Sequence, residues 1–265
     1  MENNLISKCR LCSSNLVFKF SNVILGKYKI NYFECENCLS LQTENPYWIE
    51  EAYDDWITKY DTGAYARTEK TSLVSLFICK IFKFKNVIDV GGGDGLFCRI
   101  LRDYNINCFS SDKYSNNLYS RIFTKPNFKN PDLLTCFEAV EHFENPKEEL
   151  EKIFKLNPRM FLFTTSIYNK QDQNWDYLEY QTGQHIFFFS KDAIKKIGKK
   201  YNYQVLFLES GFILMTSNNF QCNKITLYFL KNILIREKFF QLLRIIKIFF
   251  KARGYEKDYN YTKEK

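Results

Sequence analysis

Four residues that can carry acid–base or metal chemistry stand at close spacing in the second half of the sequence. Glu138, Glu141 and His142 follow the apolar stretch 133–137, and His185 is the only other histidine of the chain. A helical turn beginning after this stretch would bring positions i, i+3 and i+4 to one side. Either the four groups hold a divalent ion such as Mg²⁺ or Mn²⁺ that lowers the pKa of an acceptor hydroxyl, or one histidine is a general base that the glutamates orient.

A glycine-rich turn, DVGGGDG at residues 89–95, precedes this cluster. Gly91, Gly93 and Gly95 lack a Cβ atom, so the backbone can turn sharply and a ligand can lie against it. The turn has no Lys-Ser or Lys-Thr pair, which excludes a P-loop. We therefore expect a cofactor turn between a strand and a helix.

A carboxylate follows the turn at the distance at which α/β nucleotide-binding folds contact ribose. Asp112 comes 17 residues after Gly95, at the end of the apolar segment 107–111. There it can accept hydrogen bonds from both hydroxyls of an adenosine ribose. These residues fit an NAD enzyme or an enzyme that uses S-adenosylmethionine (SAM). The other two turn residues, Gly92 and Asp94, are expected to be spacers.

Apolar strands and amphipathic helices alternate around these residues, which predicts an α/β fold with a parallel sheet and crossover helices. The predicted strands are 87–90, 107–111, 132–137 and 160–165, and the predicted helices are 48–53, 70–82, 96–104 and 147–156. A helix at 191–200 and two strands at 203–208 and 212–216 predict a terminal antiparallel hairpin.

Four of the nine cysteines form two CxxC pairs at the start of the chain: Cys9, Cys12, Cys35 and Cys38. Alternating apolar stretches at 16–20 and 29–33 predict a β-hairpin that brings the two pairs together. Two such pairs joined by a hairpin are typical of a zinc ribbon, in which four thiolates close a structural site. The alternative is a set of reduced cysteines or a redox pair. Cysteines without a secretion signal argue against a disulfide framework.

The combined motifs resemble those of a known family. Residues 89–95 resemble motif I of the class I SAM-dependent methyltransferases, and Asp112 stands at that family's ribose position. Together with Asp61-Thr62-Gly63 and the later W-x-Y and G-Q-H motifs at 175–177 and 183–185, they resemble a bacterial branch with an N-terminal zinc ribbon. The resemblance runs from about Cys9 to Leu208. It implies a Rossmann-like sheet and SAM as the cofactor.

The resemblance also implies roles for single residues. Asp89 would lie near the methionine amine of SAM, and the N-terminus of the following helix near its carboxylate. The E-x-x-E-H sequence of Glu138–His142 resembles the metal-binding motif of O-methyltransferases of ubiquinone biosynthesis and of small-RNA 2′-O-methyltransferases. His185 would then be the fourth ligand. Its spacing from His142 is not that of the RNA enzymes.

The positive charge of the chain is concentrated near its end. The chain carries a formal net charge of +8. Residues 221–265 contain eight Lys, three Arg and four acidic residues, hence 11 − 4 = +7, which leaves +1 for residues 1–220. A nearly neutral body argues against an extended nucleic-acid-binding face.

The C-terminal segment predicts an amphipathic basic helix at Ile225–Lys251, followed by a flexible end at Tyr255–Lys265. Such a helix packs on the body, packs on a second subunit of a homo-oligomer, or lies at a membrane interface. The chain lacks an apolar run of about 18 residues and a signal peptide, so we expect a cytoplasmic protein with peripheral contact at the inner membrane face. We expect three domains: a zinc ribbon at 1–45, a methyltransferase domain at 46–220 and the basic helix and tail at 221–265.

The sequence favours a SAM-dependent O-methyltransferase that acts on a small polar acceptor. The resemblance points to a nucleotide-linked sugar or a precursor of surface polysaccharide such as capsule or O-antigen. Trp175, Tyr177 and Tyr180 would form walls of the acceptor site, because aromatic faces suit sugar C–H surfaces. Two alternatives stay open: an RNA ribose O-methyltransferase, and a non-catalytic SAM-binding scaffold in a glycan assembly complex.

Overall fold

The computed structural model describes residues 8–53, 62–220, 222, 241–242, 244 and 254–263. Strands β1 to β10 are Leu16–Ile24, Tyr28–Cys35, Leu41–Thr43, Asn86–Val90, Asn107–Ser111, Leu133–Cys136, Met160–Thr164, Phe187–Phe188, Tyr203–Phe207 and Phe212–Ser217. Helices α1 to α6 are Ile49–Ala52, Ala64–Phe82, Leu96–Asp103, Pro146–Lys155, Lys191–Tyr201 and Gly254–Lys263.

The chain divides into two compact units, each built from separate stretches of sequence. Unit 1 comprises Met1–Thr62, Glu138–Lys155 and Thr164–Val205, and unit 2 comprises Gly63–Phe137, Leu156–Phe163 and Leu206–Lys265. The three-domain division expected from the sequence, with boundaries at residues 45 and 220, stays a prediction.

A six-stranded sheet carries the α/β core, in the order β5-β4-β6-β7-β10-β9. Strand β4 pairs in parallel with both β5 and β6, and β6 pairs in parallel with β7. Strands β6 and β7 are buried along their whole length, as expected for a parallel sheet covered on both faces. This mixed α/β sheet confirms the predicted Rossmann-like fold, and the predicted strands and helices lie within a few residues of the observed ones. The helix expected at 70–82 begins six residues earlier.

The end of the chain differs from the flexible segment expected there. Helix α6 packs on α3 through a buried ion pair, in which Arg102 donates from Nε and Nη2 to the carboxylate of Asp258 at 2.9 and 2.7 Å. Arg99 also donates to Asp258, at 2.7 Å. A Cβ atom on Gly254 would lie 1.7 Å from the backbone oxygen of Arg102, so only glycine allows this approach. The polar composition of this segment suggests disorder when it is considered alone. In the structure, Arg99 and Arg102, which are far away in sequence, stabilise the helix through Asp258.

Unit 1 contains an antiparallel four-stranded sheet in the order β1-β2-β3-β8. β1 and β2 form the hairpin predicted between the cysteine pairs, with Leu16 opposite Cys35 and Ile24 opposite Tyr28. β8 joins the sheet next to β3, with Leu41 opposite Phe188. The G-Q-H motif at 183–185 therefore lies just before a strand of the N-terminal sheet.

The predicted basic helix at 225–251 lies outside the described residues except for 241–242 and 244. None of the helices in the described ranges is both long enough and apolar enough to cross a membrane. The predicted second subunit and the peripheral membrane contact through this helix stay predictions.

Candidate active site

The glycine turn of unit 2 joins β4 to α3 and requires glycine at several positions. Gly91, Gly93 and Gly95 have φ values of 69°, 54° and 84°, which residues with a side chain rarely adopt. A Cβ atom on Gly95 would lie 2.3 Å from the side-chain oxygen of Asn117. Around a Cβ built on Gly93, by contrast, no atom of the described residues other than its two chain neighbours lies within 4 Å, which leaves room for a ligand against the backbone.

Gly92 and Asp94 are more than the spacers expected from the sequence. A Cβ atom on Gly92 would lie 2.0 Å from Oγ of Ser110 and 2.3 Å from Oδ2 of Asp89, so the turn packs directly on these side chains. Asp94 accepts the backbone N–H of Leu96, the first residue of α3, at 3.0 Å. The sequence did not reveal the packing of Gly92 because it depends on Ser110, which the fold brings next to the turn.

Asp112 is tied to the glycine turn. Its Oδ2 accepts the backbone N–H of Gly93 at 2.9 Å, and its Oδ1 accepts those of Tyr114 and Ser115 at 2.8 and 2.7 Å. A carboxylate offers about four lone-pair positions, so about one stays available to a ribose hydroxyl. The predicted ribose contact stays a prediction, and the remaining capacity allows a hydrogen bond from one ribose hydroxyl rather than from both.

Asp89 is buried beneath the turn, at 2 % exposure. Thr135, its neighbour on β6, donates a hydrogen bond to Oδ1 at 2.7 Å. Burial raises the pKa of Asp89 to about 7, against an ordinary value of 3.8. A nearby cation, such as the methionine amine that the sequence predicts here, would favour the ionised carboxylate.

His185 in unit 1 has a defined proton position. Its Nδ1 lies 2.7 Å from the backbone oxygen of Tyr177, which can only accept, so Nδ1 carries the proton and Nε2 has the lone pair. Burial lowers the pKa of His185 to about 4, so the ring is neutral at pH 7. A neutral imidazole with an unprotonated Nε2 can act as a base or as a metal ligand.

His142 lies beside His185, with ring centroids 5.0 Å apart. Its Nδ1 is 2.8 Å from the hydroxyl of Tyr53, and its Nε2 is buried without a hydrogen-bond partner among the described residues. Burial and the neighbouring His185 together lower the pKa of His142 well below its ordinary value. Two neutral imidazoles thus stand side by side.

Glu141 completes a compact group with the two histidines. It is fully buried, and the hydroxyl of Tyr177 donates a hydrogen bond to its Oε1 at 2.6 Å. Burial, followed by the charge of Glu141, raises the pKa of Tyr177 well above the ordinary value, so Tyr177 stays a donor. One donor atom from each of Glu141, His142 and His185 lies within 4.8 Å of the others, a spacing that can hold a metal ion.

Glu138 lies outside this compact group. It is exposed, and its backbone has a φ of 48°, in the left-handed region that favours glycine. Thr164 accepts its backbone N–H at 2.9 Å and helps to hold this conformation. A strained, non-glycine backbone at the end of a strand is a frequent feature of functional sites. The predicted convergence thus holds for Glu141, His142 and His185.

The four N-terminal cysteines form a second group that can hold a metal ion. The sulfur of Cys9 lies 3.7 Å from that of Cys38, and the sulfur of Cys12 lies 3.4 Å from that of Cys35. Arg10, between the first two cysteines, donates hydrogen bonds to the backbone oxygens of Ile186 and Thr43. The cysteine group is therefore connected by one side chain to the backbone next to His185.

A comparison with protein-family models identifies the α/β part of the chain. Residues 63–208, more than half of the chain, match the model described as a methyltransferase domain. The chain belongs to this methyltransferase family. It is a SAM-dependent methyltransferase of class I, as the motifs predicted. A comparison with curated proteins found no match.

Solved structures of other methyltransferases are similar to this methyltransferase at low sequence identity. Magnesium protoporphyrin IX methyltransferase of Synechocystis, solved with bound SAH, is 12 % identical with a TM-score of 0.44, over 66 % of this chain and 98 % of that chain. The 1,6-didemethyltoxoflavin-N1-methyltransferase of Burkholderia thailandensis is 10 % identical with a TM-score of 0.46, over 75 % and 99 %. The methyltransferase domain of bacterial CtHen1 is 19 % identical with a TM-score of 0.40, over 56 % and 97 %.

The residues of the glycine turn fit SAM. The open space above Gly93 can receive the backbone-contacting part of the cofactor, and Asp112 retains capacity for a ribose hydroxyl. Asp89 supplies a buried carboxyl group whose ionised form would stabilise a cation. These three residues of the methyltransferase would hold the cofactor.

The G-Q-H motif has a positioning role that the sequence did not reveal. The backbone oxygen of Gly183 accepts the indole N–H of Trp48 at 2.8 Å, and Gln184 donates to the backbone oxygen of Ala52 at 2.6 Å. The motif thereby holds both ends of α1, and the next residue, Tyr53, contacts His142. No spacing or motif in the sequence indicates this connection, because Trp48 and Gly183 are 135 residues apart.

Proposed function

We propose that this methyltransferase methylates a hydroxyl oxygen of a small polar acceptor and that His185 is the general base. The observation that carries the proposal is the hydrogen bond from Nδ1 of His185 to the backbone oxygen of Tyr177. It leaves Nε2 unprotonated on a ring that burial keeps neutral. Bound SAM supplies an electrophilic methyl group, so the chain itself has to orient the acceptor, exclude water and remove a proton.

In the proposed step, Nε2 of His185 accepts the proton of the acceptor hydroxyl. The O–H bond breaks, a new N–H bond forms, and the acceptor oxygen keeps the electron pair with which it would bond the methyl carbon. The bond between that carbon and the sulfur of SAM would break at the same time, with its electron pair going to the sulfur, so that S-adenosylhomocysteine leaves. The imidazolium that results is stabilised by the carbonyl of Tyr177 at Nδ1 and by the nearby carboxylate of Glu141. The hydroxyl of Tyr177 holds Glu141 in place.

A metal-dependent reaction is the second candidate, favoured by donor atoms of Glu141, His142 and His185 that lie within 4.8 Å of one another. An ion bound there would lower the pKa of a coordinated acceptor hydroxyl. Two imidazoles and one carboxylate suit a transition metal such as Mn²⁺ better than Mg²⁺, which prefers oxygen ligands. The hydrogen bond at Nδ1 of His185 would then orient a ligand.

The proposed acceptor is a nucleotide-linked sugar or a surface-polysaccharide precursor. Support comes from the resemblance of the motifs and from the near-neutral charge of residues 1–220. Trp175, whose ring centroid lies 5.3 Å from that of Tyr177, offers an aromatic face next to the histidine group. Aromatic faces suit the C–H surfaces of sugars.

We also propose that Cys9, Cys12, Cys35 and Cys38 bind one structural Zn²⁺. The sulfur distances of 3.4 and 3.7 Å are close to those of thiolates that share a tetrahedral ion, for which Zn–S bonds are about 2.3 Å. Four thiolates close the site, so its role is to fix the N-terminal sheet and, through Arg10, the backbone at Ile186.

The test is formation of S-adenosylhomocysteine against a panel of nucleotide-linked sugars, other phosphorylated glycan precursors and short RNAs, each with EDTA and with added Mn²⁺ or Mg²⁺. Turnover with a sugar acceptor that EDTA leaves unchanged supports the proposal. Turnover that requires the ion supports the metal-dependent reaction, and turnover only with RNA contradicts the acceptor class. Tight SAM binding without turnover on any acceptor would favour a scaffold role.

A further inference from the structure

One loop of unit 2 combines exposed apolar side chains with exposed cations. Tyr114, Leu118, Tyr119 and Ile122 all have large exposed fractions, between 40 % and 56 %. The surrounding segment 113–131 has four basic residues and no acidic one, although residues 1–220 together carry a net charge of only +1. Its basic residues are Lys113, Arg121, Lys125 and Lys129.

This loop is fixed to the cofactor turn by its backbone. The N–H groups of Leu118 and Tyr119 donate to the backbone oxygen of Asp94 at 2.7 and 3.0 Å, and Ser120 donates from its hydroxyl to the backbone oxygen of Gly95 at 3.0 Å. Phe123 is buried and accepts the N–H of Ser110 at 2.9 Å through its carbonyl. These anchors hold the backbone in place, and the side chains of Leu118, Tyr119 and Ile122 are exposed beside them.

The mixture of side chains indicates the kind of surface that the loop contacts. Exposed apolar residues grouped with cations are typical of protein surfaces that bind membranes or other macromolecules. Single-stranded nucleic acids would use the cations and stack on the tyrosines, but they gain little from aliphatic side chains such as Leu118 and Ile122. A bilayer with anionic lipids interacts favourably with all three kinds of side chain. Cations bind the headgroups, tyrosines lie at the interface, and aliphatic side chains insert below it.

We propose that the loop 113–131 docks this methyltransferase on an anionic lipid bilayer. Docking would place the cofactor turn, to which the loop is bonded, close to the membrane surface. The inference concerns this loop alone and is independent of the basic segment at 225–251. It is also independent of which acceptor is methylated, so it can fail while the proposed function holds.

The test uses the full-length protein and sedimentation with vesicles of phosphatidylcholine, alone or mixed with phosphatidylglycerol. We expect binding only to the anionic vesicles. The triple variant Arg121→Gln/Lys125→Gln/Lys129→Gln should weaken binding by roughly tenfold or more, because each cation near an anionic surface contributes. Ile122→Glu should do the same, since a carboxylate would have to enter the interface. Val23→Glu is the matched control, because Val23 is exposed to a similar extent, at 46 % against 43 % for Ile122.

A second readout separates docking by the loop from docking by the basic segment. In an Ile122→Trp variant the new indole should shift its fluorescence to the blue when anionic vesicles are added. SAM affinity should stay at the wild-type value in every variant, which confirms that each one folds. Wild-type binding by both loop variants, an unshifted fluorescence, or failure of the wild-type protein to bind anionic vesicles would each overturn the proposal.

Discussion

The Nδ1 atom of His185 lies 2.7 Å from the backbone oxygen of Tyr177, and this contact determines what His185 can do. A carbonyl accepts but cannot donate, so the ring holds its proton on Nδ1 and presents Nε2 as the basic atom. The side chain of the same Tyr177 donates to Glu141, so one residue orients both the base and the neighbouring carboxylate. The W-x-Y and G-Q-H motifs thus meet in a single hydrogen-bonded arrangement.

The lowered pKa of His185 predicts that the protein loses stability in mild acid. In the folded state the pKa is about 4, against an ordinary 6.5, so the folded protein binds fewer protons than the unfolded chain between these values. The free energy of unfolding should therefore fall as the pH drops from about 6.5 to about 4. The contribution of His185 is at most about 3.5 kcal/mol, since the pKa differs by about 2.5 units and one unit corresponds to about 1.4 kcal/mol. Urea unfolding across this range, compared with His185→Gln, measures it, and parallel curves for the two proteins would contradict the assignment.

The raised pKa of Asp89 predicts a pH-dependent affinity for SAM. If the ionised carboxylate contacts the cationic end of the cofactor, the affinity should rise with pH through about 7, by up to about tenfold per unit below the pKa. Asp89→Asn keeps a hydrogen-bonding oxygen towards Thr135 and should bind SAM more weakly, with a flatter pH profile. Calorimetric titrations at pH 6, 7 and 8 provide the comparison. Identical profiles for the two proteins would remove Asp89 from the cofactor contact.

The cysteine group predicts a bound zinc ion that also supports the histidine site. Elemental analysis should find one zinc per chain, and Cys35→Ser should release it and destabilise the N-terminal sheet. Because Arg10 connects the first cysteine pair to the backbone at Ile186, turnover should fall as well while SAM affinity stays unchanged. Cys222→Ser alters a cysteine outside the group and is the control. A zinc-free wild-type protein would exclude the ribbon.

The left-handed backbone conformation of Glu138 allows the effect of this residue on turnover to be separated from its effect on protein stability. Glu138→Gly should raise the free energy of unfolding by up to about 1 kcal/mol, because glycine adopts a φ of 48° without strain. If the side chain serves the reaction, turnover should nevertheless fall. Lys170→Gly is the matched control: Lys170 is exposed in unit 1 with a φ of 60°, so stability should rise there too while turnover stays unchanged. Full activity of Glu138→Gly would show that this residue has no catalytic part.

The sequence predicted the α/β sheet well because its strands are short apolar runs between amphipathic helices, and such periodicity is local. The positions of Asp112 and of the glycines in the fold could be predicted for the same reason, because a strand, a turn and a helix that follow one another in sequence hold them. The pairing of Glu141 with His142 and His185 was also predictable, because the chain has only two histidines and both stand in motifs.

Contacts between distant residues were beyond the reach of local patterns. The hydrogen bond of Tyr53 to His142 spans 89 residues, and that of Arg102 to Asp258 spans 156. In neither pair does the sequence around one residue indicate which distant residue is its partner. The exposed position of Glu138 was missed because the ideal spacing of a helical turn was assumed, whereas a short 3₁₀ helix covers only Val140–His142.

The most direct measurement is the rate of S-adenosylhomocysteine formation by His185→Gln, with the acceptor that the wild-type protein uses and with EDTA present throughout. We predict a rate at least about a hundredfold below that of the wild-type protein, the usual loss on removing a general base, with SAM affinity unchanged. A rate within a few-fold of wild type would contradict the assignment of His185 as the base. Loss of wild-type turnover in EDTA would contradict it equally and place a metal ion between Glu141 and the two histidines.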